Sequence, residues 1–217
     1  WEAKSKKKIE PHYSRPRRKR RGELVQIDGS KHAWLEERGP KATLLVFIDD
    51  ATSEILAAEF VPEESFFSYG RLCKRYFREQ GLPIAFYSDR FSVFRDNHKE
   101  NLSDEPVTQF QRALTALGIE LICANSPQAK GRVERANGTL QDRLIKEMRL
   151  LGIRDYAQAN QYLPEFISDY NRRFAVIPSS NLDCHRPVDE TLDLDFLFSV
   201  HDFRIITKTL LINFAGK

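Results

Sequence analysis

Glu23-Leu24-Val25-Gln26-Ile27-Asp28-Gly29-Ser30 is the stretch whose reading decides the fold. It is strand-like, it leads through the turn Arg38-Gly39-Pro40 into a second apolar run, Ala42 to Asp50, and a third, Glu54 to Val61, follows after a short turn. Three strand candidates joined by two short connections predict an antiparallel meander. Working outward, Phe66, Tyr69, Leu72, Cys73, Tyr76 and Phe77 recur with helical spacing over Ser65 to Gln80, and Gly81 with Pro83 supplies the stop. Pro83 to Ser88 is a short buried-type strand, Thr108 to Leu117 is helical up to Gly118, and Ile119 to Ala124 is another strand. Two further helices, Arg132 to Leu150 and Asp155 to Phe174, are separated at Gly152. The order β-β-β-α-β-α-β-α-α predicts an α/β domain whose mixed sheet carries an antiparallel edge. No internal repeat is visible.

The 217 residues suffice for one sizeable domain with an appendage, and 41% hydrophobic content with 15 Phe allows a packed core. No run reaches the roughly 18 to 20 apolar residues of a bilayer span, and no apolar stretch follows the basic N-terminus as in a secretory signal. A soluble, non-secreted protein is expected. Cys73, Cys123 and Cys184 are far apart and show no CxxC spacing, which favours free thiols in a reducing compartment over a disulfide scaffold or zinc knuckle. His32, His98, His185 and His201 likewise lack metal spacing with Cys and are expected at the surface or in packing. The chain opens on Trp1 and ends after a strand-like run, Phe203 to Phe214, so a piece of a longer protein is expected.

Charge is unevenly spread. Residues 1–21 hold ten Lys or Arg against Glu2 and Glu10, a balance of +8, which leaves 24 basic against 29 acidic residues in the remainder. Such an arm, with Pro11 and Pro16 and little apolar content, is expected to be extended and mobile until a polyanion orders it. Nucleic acid is the natural partner, bound through counterion release, with a solvated linker or localisation signal as the alternatives. Residues 89–107 form a long polar connection of the kind that is functional or mobile inside compact domains.

Three carboxylates stand out. Asp28 sits beside apolar neighbours on the first strand, Asp89 ends the run Ile84 to Tyr87, and Glu134 lies in the first turn of the helix after a polar loop, where the helix dipole favours negative charge. If the first and fourth strands are neighbours, Asp28 and Asp89 meet at the centre of the sheet and the helix brings Glu134 alongside. Clustered carboxylates repel unless a cation compensates, and hard oxygen ligands suit Mg²⁺ or Mn²⁺. Taken singly, each has an ordinary reading as a strand-end cap or dipole residue. Asp49 and Asp50, which close the second strand, are assigned to a turn.

The loop and helix start, Asn125-Ser126-Pro127-Gln128-Ala129-Lys130-Gly131-Arg132-Val133-Glu134, resemble the N-x-P-Q-x-x-G-x-V-E signature of the DDE integrase and transposase catalytic core. Gln26-Ile27-Asp28-Gly29 and Tyr87-Ser88-Asp89-Arg90 resemble its first two carboxylate strands, and Tyr170-Asn171-Arg172-Arg173 with Arg186-Pro187 is similar to the ending of bacterial transposase cores. The 45 positions between Asp89 and Glu134 exceed the usual family spacing, and the polar connection around Arg95 to Asn101 is the expected insertion. The resemblance extends over a core at 23–190 and implies a ribonuclease H-like fold, to which the strand count adds a five-stranded mixed sheet; the charge pattern sets off a basic arm at 1–22, and strand composition leads us to expect the start of a small, truncated β segment at 191–217.

The resemblance also implies a polynucleotidyl transferase that nicks transposon ends and joins the 3′-hydroxyl to target DNA, with Asp28, Asp89 and Glu134 holding two Mg²⁺ or Mn²⁺ ions. Arg17, Arg18, Lys19, Arg20 and Arg21 of the arm, with Gln128, Lys130, Arg132 and Arg135 around Glu134, are the expected DNA contacts. A homo-oligomer on DNA, no membrane partner and a bacterial, nucleoid-associated cytoplasmic location are expected. The alternatives are a metal-dependent nuclease of the same fold and a DNA-binding or assembly module without catalysis.

Overall fold

A computed structural model describes residues 16–88, 93, 108–123, 131–202, 206 and 208. Alternating or continuous apolar residues build five strands: β1 Val25–His32, β2 Ala42–Asp49, β3 Ile55–Val61, β4 Ala85–Ser88 and β5 Glu120–Cys123. They form one sheet in the order β3-β2-β1-β4-β5. β1 pairs antiparallel with β2, with Asp28 opposite Val46, and β2 pairs antiparallel with β3, which completes the meander. On its other side β1 pairs parallel with β4, Val25 opposite Phe86 and Gln26 opposite Tyr87, and β4 pairs parallel with β5. The sequence expectation that the first and fourth strands are neighbours therefore holds.

Parallel neighbours require crossovers, which helices supply on one face, and two helices after the last strand cover the other. On one face α1 (Phe66–Gln80) and α2 (Gln109–Ala116) pack Tyr69, Leu72, Tyr76, Phe77 and Phe110 against Val25, Ile27, Leu45 and Phe47. On the other, α3 (Gly131–Leu150) and α4 (Tyr156–Phe174) pack Val133, Leu140, Leu144, Leu163 and Phe166 against Leu44, Val46 and Ile48. β2 is buried along its whole length because its two side-chain rows feed these two separate cores. The helix limits follow local chemistry: Ser65 and Ser68 form a reciprocal capping box, Asp155 caps α4, and α1 ends at Gly81, whose φ of +94° suits glycine.

Residues 16–21, expected to be mobile, instead dock on the core because the turn between β2 and β3 and the segment after α4 present acceptors to them. Arg17 Nη1 donates to Ser53 Oγ at 2.7 Å, and the backbone N–H of Arg18 donates to Asp50 Oδ2 at 2.7 Å. Arg21 donates through Nε to Glu54, through Nη1 to Asp183 and through Nη2 to Gln80, at 2.9, 2.7 and 2.8 Å. At the other end, a short helix α5 (Leu194–Leu197) brings Leu194 and Phe198 into the α1–α2 core. Of the strand-like run Phe203 to Phe214, only Ile206 and Lys208 fall within the described residues. None of the described helices is long and apolar enough to cross a membrane.

Candidate active site on β1 and α3

The period of two in a strand sends Gln26, Asp28 and Ser30 of β1 to the face covered by α3. Each meets a rung of that helix. Gln26 Oε1 accepts from the backbone N–H of Val133 at 3.3 Å, Asp28 Oδ2 accepts from Asn137 Nδ2 at 2.8 Å, and Ser30 Oγ accepts from Gln141 Nε2 at 3.1 Å. Two strand residues advance about 6.7 Å and four helical residues about 6 Å, so the rungs stay in step along the length of β1. The ladder fixes both the height and the rotation of α3 over the carboxylate.

Glu134 lies in the first turn of α3 and is exposed, three positions before Asn137 and so on an adjoining part of the helix surface. Asn137 thus ties Asp28 to the turn that carries Glu134. Its Oδ1 is a buried oxygen that finds no hydrogen-bond donor among the described residues. A carboxylate with an orphaned amide oxygen beside it is a hard-oxygen donor set and fits Mg²⁺ or Mn²⁺. Among the described residues no three His, Cys, Asp or Glu side chains cluster as a metal site. Asp89, the residue after the last of β4, lies outside the described residues, as do Gln128 and Lys130.

The expected DNA contacts are placed in two ways. Arg17, Arg18, Lys19, Arg20 and Arg135 are exposed. Arg21 and Arg132 point into the protein: Arg21 makes the three hydrogen bonds given above, and Arg132, with its side chain 9% exposed, pairs with Asp50 Oδ1 at 2.6 Å. Asp49 and Asp50, alike in sequence, differ in place. Asp49 shapes the β2–β3 turn, accepting from the N–H of Gly22 and from the N–H and hydroxyl of Thr52, although burial still pushes its carboxyl above the ordinary value. Asp50 reaches across to α3 and the arm, which the turn assignment did not foresee. Gln26 and Asn137 were missed too; the available signals were two residues of strand from Asp28 and one helical turn from Glu134.

A 3-2-1-4-5 mixed sheet layered by helices on both faces defines a ribonuclease H-like fold, and here the aspartate of its central strand is held to a helix that bears a glutamate. The family model described as integrase core domain matches residues 115–173, from the end of α2 through α4. A Sinorhizobium fredii protein named as the transposase y4bF is 53% identical over 178 residues, covering 82% of this chain and 39% of that protein. The transposase for insertion sequence IS1202 of Streptococcus pneumoniae is 40% identical over 171 residues, covering 77% of this chain and 36% of that protein. A chain of the simian T-cell lymphotropic virus intasome, solved with PP2A regulatory subunit B56γ, shares the fold with a TM-score of 0.52 at 20% identity, covering 67% of this chain and 48% of that chain. The chain belongs to the transposase and integrase catalytic-core family. It spans about two fifths of the length of these two curated relatives.

Proposed function

We propose that the chain is the catalytic core of a DNA transposase that nicks transposon ends and transfers the resulting 3′-hydroxyl into target DNA. The observation that carries this reading is the Asn137–Asp28 hydrogen bond, which fixes a central-strand carboxylate one helical turn from Glu134. Asp28, Asp89 and Glu134 would hold the divalent ions, two in the full reading. When bound, Mg²⁺ or Mn²⁺ supplies charge neutralisation at the scissile phosphate and eases deprotonation of the attacking hydroxyl. In the first step water attacks phosphorus and the P–O3′ bond breaks, leaving a 3′-hydroxyl and a 5′-phosphate. In the second that hydroxyl attacks a target phosphate and displaces a target 3′-oxygen.

The residues contribute by position and charge. Asn137 keeps the Asp28 carboxylate turned toward α3, and the three-rung ladder prevents α3 from sliding, so the site is preorganised. Arg17, Arg18, Lys19 and Arg20 of the arm, with Gln128, Lys130 and Arg135 near Glu134, would track the DNA backbone, and Arg21 and Arg132 would support them from inside. The protein would act on DNA in the bacterial cytoplasm, at the nucleoid, as at least a dimer joining two ends.

The test is an end-cleavage and end-joining assay of the full-length protein carrying Asp28→Asn, Asp89→Asn or Glu134→Gln. Each should lower turnover by three orders of magnitude or more, roughly 4 kcal/mol of barrier, with an unchanged circular dichroism spectrum. An active variant removes its residue from the site. Products that are cut but never joined would favour the nuclease reading, and metal-independent DNA binding without cleavage would favour the assembly module.

A further inference from the structure

Asp50 is fully buried, and a buried carboxylate is retained only with partners. Its partners converge from three elements. Oδ1 accepts from Arg132 Nη1 at 2.6 Å and from Gln26 Nε2 at 2.8 Å, and Oδ2 accepts from the N–H of Arg18 at 2.7 Å. Gln26 passes the connection on, since its Oε1 accepts from the N–H of Val133. That N–H is one of the first of α3, which have no acceptor inside the helix. Arg132 and Val133, the two residues before Glu134, are therefore both anchored to the sheet, one directly on Asp50 and the other through the Gln26 side chain that Asp50 orients. On the far side, Asn137 is anchored on Asp28. Glu134 is held from both directions by bonds that it does not make itself.

We infer that Asp50 is a positioning residue for the reaction, holding the first turn of α3 so that Glu134 faces Asp28. This rests on the reading of Asp28 and Glu134 as the metal-holding pair. Asp50 touches neither substrate nor ion; it acts through Arg132 and Gln26. Asp50→Asn keeps the volume and removes the charge that Arg132 needs.

Amide hydrogen exchange on this chain without metal is the first readout. Asp50→Asn should speed exchange at residues 133–137 while residues 44–48 of β2 keep the wild-type rate. Calorimetric Mn²⁺ titration with a short DNA duplex should show affinity weakened by about 10- to 100-fold, the range for residues that orient metal ligands. In the full-length protein kcat should fall by a similar factor with KM for DNA unchanged. Wild-type exchange and wild-type Mn²⁺ affinity in Asp50→Asn would overturn the inference. Should that variant fail to fold, Arg132→Gln and Arg132→Lys decide: recovery of slow exchange and Mn²⁺ affinity by Lys over Gln supports the role, and equal losses overturn it. Glu134→Gln separates the two levels. Undiminished Mn²⁺ affinity in that variant would refute the site reading, whereas faster exchange in Asp50→Asn alone reports the anchoring.

Discussion

Asp183 gathers Arg21 Nη1 at 2.7 Å, the N–H of His185 at 2.9 Å and the His185 ring Nδ1 at 2.5 Å. With Nδ1 donating to Asp183, His185 Nε2 accepts from the Tyr76 hydroxyl, which burial and the nearby Asp49 charge keep protonated. The clasp joins the arm, α1 and the segment after α4. It also explains Gly22, whose φ is +72° and where a Cβ would lie 2.5 Å from the His185 ring. Partial burial pushes the Asp183 carboxyl up, but the donors from His185 and Arg21 outweigh it, and its pKa lies below the ordinary value. The unfolded chain then binds the proton more readily, so the clasp stabilises the fold above the ordinary Asp value of about 3.9 and loses that contribution as pH falls through the lower folded value. Asp183→Asn lacks the contribution at every pH. The gap in Tm between wild type and variant, followed by circular dichroism, should be widest near neutrality and narrow below about pH 4. A gap independent of pH would show that the Asp183 charge plays no part.

At the scale of elements, β3 is the outer strand of the sheet, and an open strand edge invites pairing with another chain. α4 closes it with two side-chain amides. Asn171 accepts from the N–H of Ile55 at 2.8 Å and donates to its carbonyl at 2.9 Å, and Asn160 does the same at Phe60, at 2.8 and 3.0 Å. Eleven helical residues and five strand residues both span about 16.5 Å, so each amide faces its own strand residue. Arg75 from α1 covers the Ala58 carbonyl between them. Asn171 belongs to the Tyr170-Asn171-Arg172-Arg173 run singled out in the sequence, and its place here is structural. Replacing Asn160 and Asn171 by Ala should cost about 1 kcal/mol or more apiece, because backbone groups lose their partners. It should also produce concentration-dependent association in sedimentation experiments. Unchanged Tm and unchanged sedimentation would show that the edge needs no cover.

At the scale of the whole molecule, the segregation of +8 on residues 1–21 from a net-acidic remainder would make the proposed DNA affinity salt-dependent. Lys19 and Arg20 are exposed, and among the described residues the side-chain bonds that dock the arm come from Arg17 and Arg21. Changing both to Ala should weaken DNA binding uniformly across sequences and reduce the slope of log affinity against log salt by about 0.9 for each phosphate that is no longer neutralised. Fluorescence anisotropy over a salt series measures this. An unchanged slope would take these two residues off the DNA path.

The order of strands and helices, the helix starts at Ser65, Thr108 and Asp155, the stop at Gly81 and, given neighbouring first and fourth strands, the central place of Asp28 were legible in the sequence. They depend on periodicity and on punctuation within a few residues, which a linear reading captures. What Asp50, Arg21, Arg132, Asn137 and Asn171 do was not legible. Asp50 meets Arg132 across 82 positions, Asp28 meets Asn137 across 109, Ile55 meets Asn171 across 116, and Arg21 meets Asp183 across 162. A polar residue shows its type in the sequence but not its partner, and the same Asp or Arg serves a turn, a solvated surface or a buried anchor. Only the packing of α3 and α4 on the sheet chose among these, because removal from water obliges each buried polar group to find a partner wherever the fold brings one.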